Sequence, residues 1–482
     1  MHNAEDSPMQ FELFGGDEPH EECGVFGIFA PGEDVARLTF FGLYALQHRG
    51  QESAGIATSD GYDINTFTHL GLVNQAFREE DLQALSGDIA IGHARYSTTG
   101  SNNACNAGPM VAPSNCGDIA VSHNGNLVNA GALRNQMMAE GEIFQATTDS
   151  EVLTRLIALS PGSTIVEKVQ AAMLKMEGAY SLSIMTKDRL LAVRDPLGVR
   201  PLCLGKFNDN WVVASESCAL MTIGADFVRE VEPGEIVEIT GPEVISHRGG
   251  HRRAPAMCLL EFIYFARPDS LIAGQRLHLT RQRLGAQLAD EAPAVADIVV
   301  GLPDSATPAA IGYAQRSGIP YAEALVKNRY IGRTFIQPDQ RLRETGVSLK
   351  FNALPEVLEG KRVVLVDDTI VRGTTSRPIV DLLRKAGARE VHMRITAPPI
   401  MWPCYLGVDL ATRAELIAAR MTVEEIGRHI GVDSIQYLTL EGLIEAIDNG
   451  KKGFCTGCFT GEYPVEIDKS QTKYALEQLA AV

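Results

Sequence analysis

The sequence predicts a chain in two parts, α+β up to about residue 255 and α/β from there to about residue 450. Three observations carry that division. At 482 residues the chain is too long for one ordinary core, so two or three domains are expected. Before residue 255, short strands alternate with helices, and strands clustered beside helices suggest layers of mixed α and β structure. After residue 257, continuous apolar strands alternate with helical segments, the pattern of a parallel sheet covered on both faces.

The elements follow in order. Residues 1–22 are polar and acidic with no sustained period, which alone reads as a tail. Cys23-Gly-Val-Phe-Gly-Ile-Phe-Ala30 reads as a buried strand that begins abruptly at a cysteine. Tyr180–Met185 and residues 190–194 read as a hairpin, and residues 211–216 and 234–239 as two further strands, with Pro233-Gly234 marking a turn. The polar stretch 246–256 reads as a linker. Beyond it, residues 297–305, 361–375 and 389–399 each combine a strand with a loop. The helical segments PAAIGYAQRSG and SRPIVDLLRKAG both end in Gly, which supplies the left-handed residue that closes a helix. The domain expectation is therefore 1–22, 23–255, 256–450 and a C-terminal segment 451–482.

Composition excludes several functions. Hydrophobic residues make up 45% and charged residues 21%, the balance of a globular chain. The net charge is −17, so a general nucleic-acid surface is not expected. No apolar run approaches the roughly 20 residues of a membrane span. The N-terminus has neither the basic nor the apolar region of a signal peptide, so a cytoplasmic location is expected. There, nine cysteines argue for metal or catalytic use rather than a disulfide framework.

The most specific short motif is Val363-Val-Leu-Val-Asp367-Asp368-Thr369-Ile-Val-Arg372-Gly373-Thr374-Thr375. Four apolar residues drive a strand into a sheet, and two carboxylates stand at its C-terminal end. A Thr/Gly-rich loop and a helix start follow. In open α/β sheets ligands bind at that end. Backbone N–H groups of the loop and the helix N-terminus suit a phosphate. The carboxylate pair suits a ribose diol or Mg²⁺. This motif resembles the phosphoribosyl pyrophosphate motif of type I phosphoribosyltransferases. The resemblance implies that Asp367 and Asp368 face the ribose hydroxyls and that Thr369, Arg372, Gly373, Thr374 and Thr375 belong to the 5′-phosphate loop. A second loop, Gly301-Leu-Pro-Asp304-Ser305-Ala-Thr307-Pro308, resembles the family's pyrophosphate loop, with Ser305 near the metal. Between the two, Lys and Arg outnumber acids from Lys327 to Lys350. That excess, with Lys327, Arg329, Tyr330 and Lys350, suits a lid over a polyphosphate.

In the N-terminal part, Cys23 is joined by four further segments: Gln47–Gly55 after a helix, Gly92–Gly100 after a short strand, Ser122–Asn126 after another, and Thr147–Glu151 opening a helix. Together they resemble the class II glutamine amidotransferases, whose fold is the αββα sandwich of N-terminal-nucleophile hydrolases. Hydrolysing a glutamine amide needs a thiolate, a base, an oxyanion site and a clamp on the amino-acid head. The resemblance implies that Cys23 is the nucleophile and that its own α-amine is the base. An α-amine pKa of about 7.7–8.0 suits that task. It also requires cleavage between Glu22 and Cys23, by self-processing in this family. Asn124 and the N–H of Gly125 take the oxyanion role, Arg95 the α-carboxylate and Asp149 the α-ammonium. His48, His93 and His123 lack metal-ligand spacing.

Cys105, Cys116, Cys203 and Cys218 share no pattern and read as structural. Cys455-Thr-Gly-Cys458 is a CxxC, and Cys258 and Cys404 complete a set of four suited to Zn²⁺ or an iron–sulfur cluster. Their placement is similar to the iron–sulfur, leader-containing subgroup of the glutamine phosphoribosylpyrophosphate amidotransferases, which implies a structural [4Fe–4S] cluster, with Zn²⁺ as the alternative. That family's reaction would release ammonia from glutamine and place it on C1 of phosphoribosyl pyrophosphate with loss of pyrophosphate, the opening step of purine synthesis. The resemblance further implies an internal ammonia channel, feedback inhibition by AMP, GMP, ADP or GDP, and a homotetramer. Two rivals remain on sequence grounds. An amidotransferase serving a sugar-phosphate isomerase fits residues 23–250 but not Asp367–Thr375, and a substrate-sensing regulator has no use for the Cys23 half.

Overall fold

An apolar run opening on a cysteine sets the centre of the first unit. The structure is a computed structural model and describes residues 23–97, 99–328, 350–410, 412–447, 453–467 and 476–477. The Gly24–Phe29 strand lies in the middle of a seven-stranded antiparallel sheet because Val25, Phe26 and Ile28 are all fully buried. The sheet order is Asp226–Glu230, Cys203–Phe207, Asn210–Ala214, Gly24–Phe29, Ile89–Arg95, Ser53–Ser59, Ile64–Leu70. A second, six-stranded antiparallel sheet runs Val244–Arg248, Glu235–Ile239, Leu190–Arg194, Gly178–Met185, Ile119–Leu127, Met110–Ala112. Their facing strands pack through Val25, Ile91, Ala120, Leu190 and Val213. The two sheets approach closely at Gly27, where an added Cβ would stand 2.4 Å from Ser183 Oγ.

Helix Val35–Ala45 covers the outer face of the first sheet, and helices Asp149–Leu159 and Ile165–Met173 cover the second. The result is the expected αββα sandwich. Helix Asp149–Leu159 starts where Thr148 caps it, accepting from Ser150 N. The predicted hairpin forms, Met185 pairing with Leu190. Two details differ from the sequence reading. The motifs Gly92–Arg95 and Ser122–Asn126 lie inside strands, not after them. Residues 246–248, read as linker, extend an edge strand paired with Glu235–Val237. An edge strand keeps one face in solvent, so polar residues do not end it.

The second unit is built on four parallel strands in the order Ile298–Gly301, Arg362–Asp367, Glu390–Ile395, Ser434–Tyr437. Residues 320–322 add a parallel bridge on the outer side of the first strand, Val299 N donating to Pro320 O at 2.9 Å. The strand order thus reverses between Ile298–Gly301 and Arg362–Asp367, the switch point where open α/β sheets bind ligands. Helix Thr307–Ser317 closes on Gly318 at φ +74°, and helix Ser376–Lys385 runs to Ala386 and Gly387, at φ +96°.

The division by packing does not follow the linear domain boundaries of the sequence reading. The described residues of 23–278 share one unit with 402–410, 412, 453–467 and 476–477, and the described parts of 279–401 and 413–447 form the other. The cause is pairing across long sequence distances. The strand Met257–Cys258 lies parallel to Phe454–Cys455, and Trp402 N donates to Cys458 O at 3.0 Å.

Within the second unit, helices Leu277–Glu291 and Thr307–Ser317 cross on two glycines. A Cβ on Gly312 would stand 1.9 Å from Gln282 O, and one on Gly285 1.8 Å from Ala309 O. Helix propensity alone predicts that Gly312→Ala stabilises by about 1 kcal/mol. The crossing predicts the opposite sign, a loss of about 2 kcal/mol from overpacking. Urea unfolding of the variant decides it: a lowered midpoint is expected, and a raised one contradicts the crossing.

Candidate active site

Cys23 immediately precedes the central strand and is buried. Its Sγ lies 3.4 Å from Tyr96 O. Burial pushes the thiol up to about 11, against the Tyr96 contact and the Arg95 cation, which lower it. The charges of Arg95, Asp149 and Glu52 all act on this sulfur. Arg95 ends its strand fully enclosed, with Nη2 donating to Thr99 O at 3.2 Å and Nη1 to Ser101 O at 3.4 Å. Its Nη1 stands 3.7 Å from Glu52 Oε2, and the same carboxylate accepts from Ser97 N at 2.9 Å. Asp149 opens its helix and accepts from Leu127 N at 3.0 Å.

Asn124 sits in the Ile119–Leu127 strand, fully buried, and its side-chain amide has no hydrogen-bond partner among the described residues. Such a group costs folding free energy unless a ligand completes it. Gly125 follows at φ +142°, where a Cβ would stand 2.1 Å from Ala179 O, so only glycine fits. The strand packs across Gly24–Phe29 and Ile89–Arg95. Sequence-selected Cys23, Arg95, Asn124, Gly125 and Asp149 therefore share one unit, and an electrophile with a charged head group can be met there by thiol, amide, cation and carboxylate.

The three histidines have separate surroundings. His48 Nε2 is 2.7 Å from Glu216 Oε1. His123 Nδ1 is 3.1 Å from Ser150 Oγ. Burial, then Arg95 and His123, lower the His93 ring to about 3, so it stays neutral.

Sequence reading missed the buried array behind the nucleophile. Arg49 Nε donates to Cys23 O at 3.3 Å, Nη1 to Glu216 at 2.6 Å and Nη2 to Glu261 at 2.6 Å. Burial raises the Glu216 carboxyl, but His48 and Arg49 overcome it and hold it well below the usual carboxylate range. Glu261 begins a π-helical turn, Glu261–Phe265. An acid inside Leu259-Leu-Glu-Phe-Ile was the available signal, since a fully buried carboxylate needs a partner.

Cys258, Cys404, Cys455 and Cys458 carry free thiols in the same unit. Cys258 and Cys455 are paired across the short parallel ladder. Cys404 N donates to Leu410 O at 3.1 Å, and Leu406 N to Cys404 Sγ at 3.4 Å. Burial, then the charge of neighbouring sulfurs in the set, raises the Cys458 thiol. Buried Arg200 feels Cys258, Cys404 and Cys455 together. Among the described residues no group of three or more His, Cys, Asp or Glu is placed to hold a metal ion. Of the remaining cysteines, Cys203 and Cys218 are buried, Cys116 is half-buried and Cys105 is exposed.

In the second unit both predicted loops leave the switch point side by side, Gly301 pairing with Val366. Asp367, Asp368 and Thr369 are buried at the strand end. Asp368 N donates to Asp367 Oδ1 at 2.9 Å and Thr369 Oγ1 to Asp368 Oδ1 at 3.0 Å. Gly373 turns at φ +74°, and the helix begins at Ser376 after Thr374 and Thr375. Arg372 is engaged by Glu415 at 2.7 Å, so its guanidinium lies against protein. Ser305 is half-buried in the other loop. Lys327 Nζ reaches Asp304 at 3.1 Å, and Asn328 N donates to Lys350 O at 2.8 Å, next to the antiparallel pair Leu325–Lys327 and Phe351–Ala353. Arg329 and Tyr330, and residues 1–22, lie outside the described residues.

Two family models match the chain: a glutamine amidotransferase domain over residues 93–222 and a phosphoribosyl transferase domain over residues 270–397. The chain is 50% identical to an amidophosphoribosyltransferase of Synechococcus elongatus, over 96% of each chain. It is 51% identical to one of Methanocaldococcus jannaschii, over 92% of this chain and 98% of that one. Two solved structures at 46% identity cover 94% of it. One is described as the allosteric regulatory enzyme of purine biosynthesis (TM-score 0.89, 99% of that chain). The other is glutamine phosphoribosylpyrophosphate amidotransferase from B. subtilis complexed with ADP and GMP (TM-score 0.88, 100% of that chain). With a glutamine amidotransferase part and a phosphoribosyltransferase part in one chain, and relatives at this identity over nearly its whole length, the chain belongs to the amidophosphoribosyltransferase family, enzymes of the first step of purine biosynthesis.

Proposed function

We propose residue roles for this reaction, carried above all by the convergence of Arg95 and Asp149 on the Cys23 sulfur. Those are the cation and the anion that the two ends of a glutamine head group require. Cys23 attacks the amide carbon, and Asn124 Nδ2–H and Gly125 N–H donate to the oxygen that becomes anionic. The C–N bond then breaks as the nitrogen takes the proton given up by the thiol and leaves as ammonia, and water cleaves the thioester to glutamate and restores the thiol. A thiol pushed to about 11 is almost wholly protonated at neutral pH, so it needs a base at its side. The α-amine of Cys23 supplies one once residues 1–22 are removed, which is why we assign the chain to the leader-containing subgroup.

In the second unit Asp367 and Asp368 hold the ribose hydroxyls, and the loop 369–375 holds the 5′-phosphate, through backbone N–H groups more than through Arg372. Lys327, Arg329, Tyr330 and Lys350 cover the pyrophosphate. Ammonia forms the new bond to C1 as the C1–O bond to pyrophosphate breaks. The oxygen donors of Ser305, Asp367 and Asp368 suit Mg²⁺, which when bound neutralises charge on the leaving group.

Cys258, Cys404, Cys455 and Cys458 would hold a [4Fe–4S] cluster. Free thiols, their shared charge and the neighbouring Arg200 support a thiolate-held group. Zn²⁺ is the alternative occupant of the same four thiolates. The ADP and GMP bound by the solved relative support purine nucleotides (AMP, GMP, ADP, GDP) as feedback inhibitors. A homotetramer in the cytoplasm completes the reading. No helix among the described residues is long and apolar enough to cross a membrane.

Two tests follow from these roles. Asn124→Ala should lower glutamine-supported pyrophosphate release about 10²–10³-fold and leave ammonia-supported release unchanged. Its thermal midpoint should hold or rise, because the amide makes no bond among the described residues. Loss of both activities would contradict the assignment. Anaerobically purified protein should carry about four iron and four sulfide per chain, and Cys404→Ser should fall below that. Zinc without iron would replace the cluster.

A further inference from the structure

We propose that the segment Cys404–Asp409 is a positioning element for the oxyanion site of glutamine hydrolysis, fixed in place by Arg200. This rests on assigning that site to Asn124 and Gly125. Three contacts carry it, all within one unit.

The first is Asn126, which stands on the same strand face as Asn124. Its Nδ2 donates to Tyr405 O at 2.9 Å, and its Oδ1 accepts from Thr99 Oγ1 at 2.7 Å. One side chain thus ties the segment to both the oxyanion strand and the loop that holds Arg95.

The second is Gly407. It turns at φ +115°, and an added Cβ would stand 3.1 Å from Gly125 Cα, 3.1 Å from Gly125 C and 3.1 Å from Arg200 Nη2. The backbone of the segment therefore lies directly on the residue whose N–H is an oxyanion donor.

The third is Arg200, fully buried, which gives two bonds to Leu406 O, from Nη2 at 2.7 Å and from Nε at 3.1 Å. Its Nη1 stands 3.7 Å from Glu261 Oε1, the atom that Arg49 Nη2 binds at 2.6 Å. Arg49 in turn donates to Cys23 O. Nucleophile and oxyanion support are therefore referred to one buried array, Arg49–Glu261–Arg200. Cys404 belongs to the same segment, so whatever holds its thiolate also holds the segment against Gly125.

An oxyanion donor acts only near 2.7–3.1 Å from the developing charge, so a shift of a few tenths of an ångström is enough to weaken it. Gly407→Ala perturbs this contact by a few tenths of an ångström, since the new methyl group would stand 3.1 Å from Gly125 and from Arg200 Nη2 and an alanine is strained at φ +115°. Arg200→Lys keeps the cation and removes the two-bond fork on Leu406 O.

The experiment measures kcat and KM for glutamine, ammonia-supported pyrophosphate release, and iron and sulfide content in both variants, beside Asn124→Ala. Both variants are expected to lose about tenfold or more in glutamine-supported kcat, with KM for glutamine within about twofold and ammonia-supported release unchanged, and Gly407→Ala is expected to keep its iron content. A normal glutamine kcat in Gly407→Ala overturns the positioning role. So does a parallel fall in ammonia-supported release or in iron, which marks a general loss of fold. If Asn124→Ala itself keeps full glutamine kcat, the oxyanion assignment fails and the inference falls with it. If Asn124→Ala is impaired and Gly407→Ala is not, only the inference fails.

Discussion

The buried Arg49 guanidinium, shared between Glu216 and Glu261, is the interaction on which the nucleophile's surroundings depend. It joins three distant stretches of chain: the loop after the first helix, the turn before Ser217, and the π-helical turn that follows Cys258. Removing one partner from such a pair strands an uncompensated charge and costs about 3–5 kcal/mol. Its geometry serves more than stability, because Arg49 Nε also holds Cys23 O. The main chain at the head of the central strand is thereby fixed, while the thiol stands 3.4 Å from Tyr96 O and feels the Arg95 charge.

The same logic explains why the first unit draws in residues from beyond the phosphoribosyltransferase part. Residues 402–410 and 453–467 have little secondary structure of their own beyond one short strand and one short helix. They are placed by contacts with the sandwich and with each other: Phe454–Cys455 against Met257–Cys258, Tyr463 Oη on Pro403 O, and Leu406 O on Arg200. Segments so short cannot order themselves. Cys404, Cys455 and Cys458 lie in these segments and Cys258 on the paired strand, so the proposed thiolate-held group would crosslink them.

What was legible in the sequence was local. Asp367-Asp368 and its loop could be read because strand, carboxylates, turn and helix start follow one another within thirteen residues. Cys23 stood out because an apolar run opens abruptly on it, and Asn124 and Asp149 because each sits in a compact polar motif of the resembled family. The array behind them did not. Arg49, Glu216, Glu261 and Arg200 are separated by up to 212 residues, and only sheet pairing brings them together. Strand limits also slipped. Gly92–Arg95 and Ser122–Asn126 look like loops because they carry polar residues, yet all the residues of Gly92–Arg95 and Ser122–Gly125 are buried inside strands. Asn126 is the instructive case, two residues past a selected position and bonded to a carbonyl 279 residues away.

The central claim is that Cys23 acts as the first residue of the working enzyme, its own amine being the base. The most direct measurement is the intact mass of active protein trapped with a glutamine-like electrophile that alkylates the nucleophile. The expected result is one adduct on a chain that begins at Cys23, with glutamine-supported turnover lost in proportion to labelling and ammonia-supported turnover kept. An adduct on fully active protein that still carries residues 1–22 would contradict the claim.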